Sequence, residues 1–239
     1  MTKSSGAGQR VIALAGNPNV GKSTVFNSLT GLRQHTGNWP GKTVSNAVGR
    51  CAGAEGEYTI VDIPGTYSLI PRSAEEEVAR DYICFGGADA VAVVCDATCL
   101  ERNMNLLLQI METGQRVLLI VNLMDEARSK GIHIELDRLE ALLGIPVLGT
   151  VARERGCRRA VTEALDALFA DGEPAERFKV TYAPELEQAL DRLTPLIPEA
   201  LAPARRWLAL RLLEGDEALL RQAHSFPFAY GRYHPYTDC

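Results

Sequence analysis

The sequence predicts an α/β fold, a doubly wound and mostly parallel sheet followed by a small all-helical domain. Apolar runs of strand length alternate with segments of helical spacing, and the first such run opens into a glycine-containing loop that leads into a helix. Beyond Asp171 no β-rich run returns.

In chain order, Val11 to Ala15 reads as a buried strand, and Thr24 to Thr30, with Phe26 and Leu29 on one face, as a helix closing at Gly31. The stretch Gly31 to Gly41 is expected to be a mobile loop, and Thr43 to Arg50 and Tyr58 to Asp62 to be strands. Ser73 with Glu76 is a capping-box pattern for a helix running to about Phe85, and Thr98 with Glu101 repeats it for a helix ending near Gly114. Ala88 to Cys95 lies between them as a buried strand. Val117 to Val121 and Pro146 to Thr150 are further strands, each followed by helical sequence. The polar stretch from Asp171 to Lys179 divides a domain at 8–170 from a helical one at 171–239. In the latter, Glu185 to Leu193, Ala202 to Leu213 and Asp216 to Ala223 have helical spacing, with Pro195, Pro198 and Pro203 as breaks.

A length of 239 residues accommodates one such domain and its appendage. Hydrophobic residues make up 46%, yet no run approaches the roughly 18 apolar residues that span a bilayer. Met1 to Gln9 has no apolar signal core, so a soluble, cytoplasmic chain is expected. The net charge of -5 lacks the footprint of a nucleic-acid binder. Six cysteines without a CxxC pair and four scattered histidines predict no disulfide, zinc or histidine metal site. Cys95 and Cys99 read as core thiols rather than a soft-metal pair.

The most informative segment is Gly16 Asn17 Pro18 Asn19 Val20 Gly21 Lys22 Ser23, a full GxxxxGKS between strand and helix. Glycines let the backbone fold around a polyphosphate, so that amides and the positive helix end face negative charge. Lys22 is placed to reach the outer phosphates and Ser23 to ligate Mg²⁺. Asp62 Ile63 Pro64 Gly65, at a strand end, supplies a carboxylate for the Mg²⁺ shell and a glycine amide able to sense the γ-phosphate. In Asn122 Leu123 Met124 Asp125 the last carboxylate matches the N1 and N2 donors of guanine, a donor pair that adenine lacks. In the loop Thr150 Val151 Ala152, the Ala152 amide is the expected donor to guanine O6. Thr43, between glycine hinges at Gly37 and Gly41, is the candidate hydroxyl that caps Mg²⁺ when the γ-phosphate is present. Trp39 reads as an exposed-loop aromatic or a lid.

Together GNPNVGKST, HTGNWPGKTV, DIPGTYSL, NLMD and RWLALRLLEGD resemble the cytoplasmic amino-terminal module of the FeoB family of bacterial ferrous iron transport proteins, over nearly the whole chain. The resemblance implies a P-loop GTPase domain with two switch loops and a helical domain that modulates GDP release. It implies GTP and GDP contacts along Gly16 to Thr24, at Gly41, Lys42 and Thr43, along Asp62 to Gly65, and in the NLMD and Thr150 to Ala152 loops. Mg²⁺ would be held by Ser23, Thr43 and Asp62, and an activating K⁺ by Asn19 with the carbonyls of Gly37 and Trp39. Asn19, Lys22, Thr43 and Gly65 would carry hydrolysis, with the cation acting as an arginine finger does.

Thr66 stands where many GTPases place a water-orienting glutamine, so a slow reaction without a side-chain general base is expected. The implied partners are GTP, GDP and the membrane-embedded region of the same full-length protein at the cytoplasmic face of the bacterial inner membrane. Nucleic acid is not among them, and self-association into a homo-oligomer is compatible with the resemblance. Lys42, Leu123 and Val151 depart from the usual valine, lysine and serine of these loops. Two other readings stay open: a soluble potassium-dependent GTPase acting on the ribosome or tRNA modification, and a P-loop ATPase or kinase, which NLMD opposes.

Overall fold

The computed structural model describes residues 9–31, 34–39, 43–54, 56–170, 178–216 and 219. Its strands are β1 (Arg10–Gly16), β2 (Gln34–Asn38), β3 (Ser45–Ala52), β4 (Glu57–Asp62), β5 (Ala90–Asp96), β6 (Val117–Asn122) and β7 (Val147–Gly149). Its α-helices are α1 (Lys22–Thr30), α2 (Ala74–Phe85), α3 (Leu100–Glu112), α4 (Met124–Ser129), α5 (Leu136–Leu143), α6 (Cys157–Ala170), α7 (Pro184–Leu193) and α8 (Arg205–Leu213).

The seven strands form one sheet in the order β2-β3-β4-β1-β5-β6-β7. From β4 to β7 the neighbours run parallel, and β2 and β3 are antiparallel to theirs. The central strands are apolar throughout because both faces are covered. Val11, Ala13 and Ala15 of β1 point into one core with α2 and α3, while Ile12 and Leu14 point into the other with α1 and α6. The same alternation runs along β5 and β6. The chain winds away from β1 to either side, so the carboxyl ends of β1 and its neighbours open a crevice at the switch point.

The expected mobile loop at Gly31 to Gly41 contains a strand: β2 pairs with β3 from Gln34↔Gly49 to Asn38↔Ser45. The segment QHTGN lacks alternation and carries a glycine, so ladder hydrogen bonds rather than local propensity make this strand. Trp39, expected as an exposed aromatic or a lid, is instead 2% exposed and meets Tyr82 edge-on at a centroid distance of 4.9 Å. Burial of its large ring outweighs exposure in a loop. Ser73 caps α2 by accepting from the Glu76 amide, and Glu76 reaches back to the Arg72 amide. Thr98 does not cap α3: Asp96 accepts from the Thr98 amide, and a 3₁₀ turn at Ala97–Cys99 comes first.

From Pro184 onward every described element is a helix. The expected helix at Ala202 starts only at Arg205, beyond Pro203, while Asp216 to Ala223 falls largely outside the described residues. Leu190, Trp207, Leu208 and Leu210 join the core beneath α2 and α3. The Tyr182 hydroxyl donates to Glu112 at 2.8 Å, tying this segment to the end of α3.

Candidate functional site

The loop between β1 and α1 lies at the head of the crevice. Gly21 has φ 82°, and a Cβ there would sit 2.3 Å from Asn122 Nδ2, so both backbone and space require glycine. Asn19 also takes a left-handed φ of 66° and is exposed. The first turn of α1 has neither a side-chain cap nor an acidic residue, so its free amides and positive end stay available to an anion. Asn17 is 3% exposed, and neither atom of its amide group is hydrogen bonded among the described residues. A buried unsatisfied polar group costs about 1–3 kcal/mol, which suits a loop shaped for a ligand rather than for stability.

Lys22 and Asp62 form an ion pair across the crevice, with both side chains largely buried. Burial lifts the Asp62 carboxyl above its ordinary value and Lys22 offsets part of that rise. The pair borders a cavity of about 770 Å³ also lined by Gly37, Thr43, Ile63 and Pro64. Glu75, from the start of α2, lines it too and carried no motif. Asn19 and Trp39 do not line it, so of the three residues expected around K⁺ only Gly37 borders this cavity. Gly41 and Lys42 lie outside the described residues. A Cβ on Gly65 would come within 3.3 Å of Pro18 N, so the DxxG turn rests directly on the phosphate loop. Thr66 is fully buried, and its hydroxyl donates to the Ser68 carbonyl at 2.7 Å.

At the other end, Asn122 is 1% exposed and joins two loops. Its Nδ2 donates to the Val20 carbonyl at 3.0 Å, and its Oδ1 accepts from the Ala152 amide at 3.0 Å. The Ala152 amide, expected to meet guanine O6, is therefore already engaged, because it closes this buried bridge. Met124 N donates to Thr150 O at 3.3 Å, bringing the two base loops side by side. Leu123 turns the chain at φ 63° so that α4 starts immediately after it. Asp125 is ion-paired to Arg153, a residue just past the Thr150 to Ala152 loop that no motif had marked.

A family model described as ferrous iron transport protein B matches residues 10–165, and one described as the FeoB cytosolic helical domain matches 182–229. The chain belongs to the FeoB family. It is 43% identical over 211 residues to the Fe(2+) transporter FeoB of Escherichia coli K12, covering 86% of the chain but 27% of that relative's length. Among solved structures it is similar to the cytosolic domain of Thermotoga maritima FeoB in apo form, with 32% identity and a TM-score of 0.79 over 92% of this chain and 86% of that one. A GDP-bound variant of the S. thermophilus FeoB G-domain aligns with 35% identity and a TM-score of 0.77, over 90% and 82% of the two chains. Among the described residues no helix is long and apolar enough to cross a membrane.

Proposed function

We propose that this chain is the GTP-binding, GTP-hydrolysing regulatory module of a ferrous iron membrane transporter, Mg²⁺-dependent and K⁺-activated, lying at the cytoplasmic face of the bacterial inner membrane in the full-length protein. One observation carries the nucleotide part of the reading. Asn122 binds the Val20 carbonyl of the phosphate loop and the Ala152 amide of the base loop at once, so the two ends of a nucleotide site are braced by one side chain. The GDP held by a solved FeoB relative supports the same reading.

The phosphates would sit on the loop from Gly16 to Thr24, with Lys22 turning from Asp62 to the β- and γ-phosphates. Asp62 would then give up its ion pair with Lys22, and a largely buried carboxylate in that position fits a divalent cation. Ser23, Asp62 and Thr43 would hold Mg²⁺, whose chemistry is to neutralise charge on the phosphate oxygens. Gly65 would present its amide to the γ-phosphate, and the turn resting on Pro18 is placed to transmit that contact. With the Thr66 hydroxyl committed to Ser68, no side chain there takes a proton from water, and hydrolysis is slow. The contact of Tyr182 with Glu112 supports a helical domain that modulates GDP release.

Substituting Asp125→Asn tests the reading. GDP affinity should fall at least about a hundredfold while xanthosine diphosphate binding appears. GDP affinity left unchanged in that variant would overturn the base assignment.

A further inference from the structure

Arg153 stands on the loop after β7, and Nη2 of its guanidinium donates to Asp125 Oδ2. The Arg153 side chain is 69% exposed and the Asp125 side chain 28%. Asp125 Oδ1 is buried and has no hydrogen-bond partner among the described residues. The loop itself is fixed on both sides of Arg153: Ala152 N donates to Asn122 Oδ1 at 3.0 Å, and Glu154 N donates to Val151 O at 2.9 Å. The side chain is thus the movable part.

A guanidinium and the N1–N2 edge of guanine are the same kind of donor: planar, delocalised, with parallel N–H groups matched to a carboxylate. We infer that Arg153 is an internal competitor for the guanine site, latching Asp125 in the empty protein so that the nucleotide must displace it. This rests on the reading that Asp125 recognises guanine. The latch fills one carboxylate oxygen with a partner drawn from solvent-exposed side chain, and guanine would satisfy both. The outcome is an empty state protected from an unpaired carboxylate and a binding-competent fraction below one. Apparent affinity falls by that fraction, and the effect falls on association, since the latched form cannot take the base.

The test is stopped-flow binding of fluorescent GDP to the 239-residue chain, comparing wild type, Arg153→Gln, Asp125→Asn and the double variant. A partly exposed ion pair is worth little, so Arg153→Gln should raise the GDP association rate by about two- to fivefold and leave dissociation unchanged. In the Asp125→Asn background, read with fluorescent xanthosine diphosphate, the same substitution should not raise association; this arm also subtracts the loss of one positive charge. If Arg153→Gln speeds GDP dissociation, the arginine packs on bound base and the latch is wrong. An association rate that stays level or falls also overturns it. If Asp125→Asn leaves GDP binding intact, the guanine reading itself fails, a result separate from either of these.

Discussion

Lys22 and Asp62, 40 residues apart in the chain, hold each other across the crevice that the β1 and β4 ends create. Each is the other's counter-charge, with both side chains largely buried. Burial still dominates the carboxyl, and its pKa stays above the ordinary 3.8.

The raised value sets the sign of a pH dependence. As pH rises above 3.8 the unfolded Asp62 releases its proton before the folded one does, so over that interval the native state binds more protons and stability falls as pH rises through the folded pKa. Asp62→Asn removes this contribution. The urea midpoint of the nucleotide-free variant, subtracted from that of wild type, should therefore change as pH rises above about 4, with wild type losing ground. Parallel profiles would show that Lys22 fully compensates burial.

Gly65 touches the phosphate loop where a Cβ would meet Pro18 N at 3.3 Å and Pro18 Cα at 3.4 Å. Gly65→Ala pushes the turn away by a few tenths of an ångström, at the amide proposed to sense the γ-phosphate. Hydrolysis should fall by about tenfold or more, equivalent to ~1.4 kcal/mol, while GDP affinity changes by less than about threefold. Single-turnover GTP hydrolysis and GDP titration separate the two.

Asn122→Ala removes both arms of the bridge and leaves the Val20 carbonyl and the Ala152 amide without it. Two buried groups lose their partner at about 1–3 kcal/mol each. At about 2–4 °C per kcal/mol for a chain of this size, the melting temperature should drop by roughly 4–24 °C. GDP should protect the variant less than wild type, since the two ends of the site are no longer braced.

These residues differ in how far the sequence reveals them. The octet from Gly16 to Ser23 is contiguous, and each position answers to a local demand of backbone or charge, so its geometry was legible. The strands β1, β5 and β6 were legible because both faces are buried and the runs are wholly apolar. β2 was not, because its hydrogen bonds come from β3 and its residues carry no strand pattern. Likewise Thr98 resembles a cap, yet Asp96 lies two residues earlier with a stronger acceptor and takes the amide. Arg153 and Glu75 entered the site through tertiary placement alone: nothing in their immediate sequence distinguishes them from surface charges.

The proposed potassium activation turns on Asn19, whose left-handed backbone at φ 66° projects an exposed side chain from the phosphate loop. β2 holds Gly37 in the sheet edge, paired with Asn46, and Trp39 N donates to Val44 O at 2.8 Å. These contacts fix the hairpin whose Gly37 and Trp39 carbonyls are proposed to meet a cation beside Asn19. Hydrolysis should run at least about tenfold faster in K⁺ than in Na⁺ at equal ionic strength, and Asn19→Ala should abolish that ratio while leaving GDP affinity within about threefold. Because the ratio compares one protein in two salts, general damage to the loop lowers both rates and leaves it unchanged. Equal rates in the two salts for wild type would remove K⁺ from the reading without touching Mg²⁺ or guanine recognition.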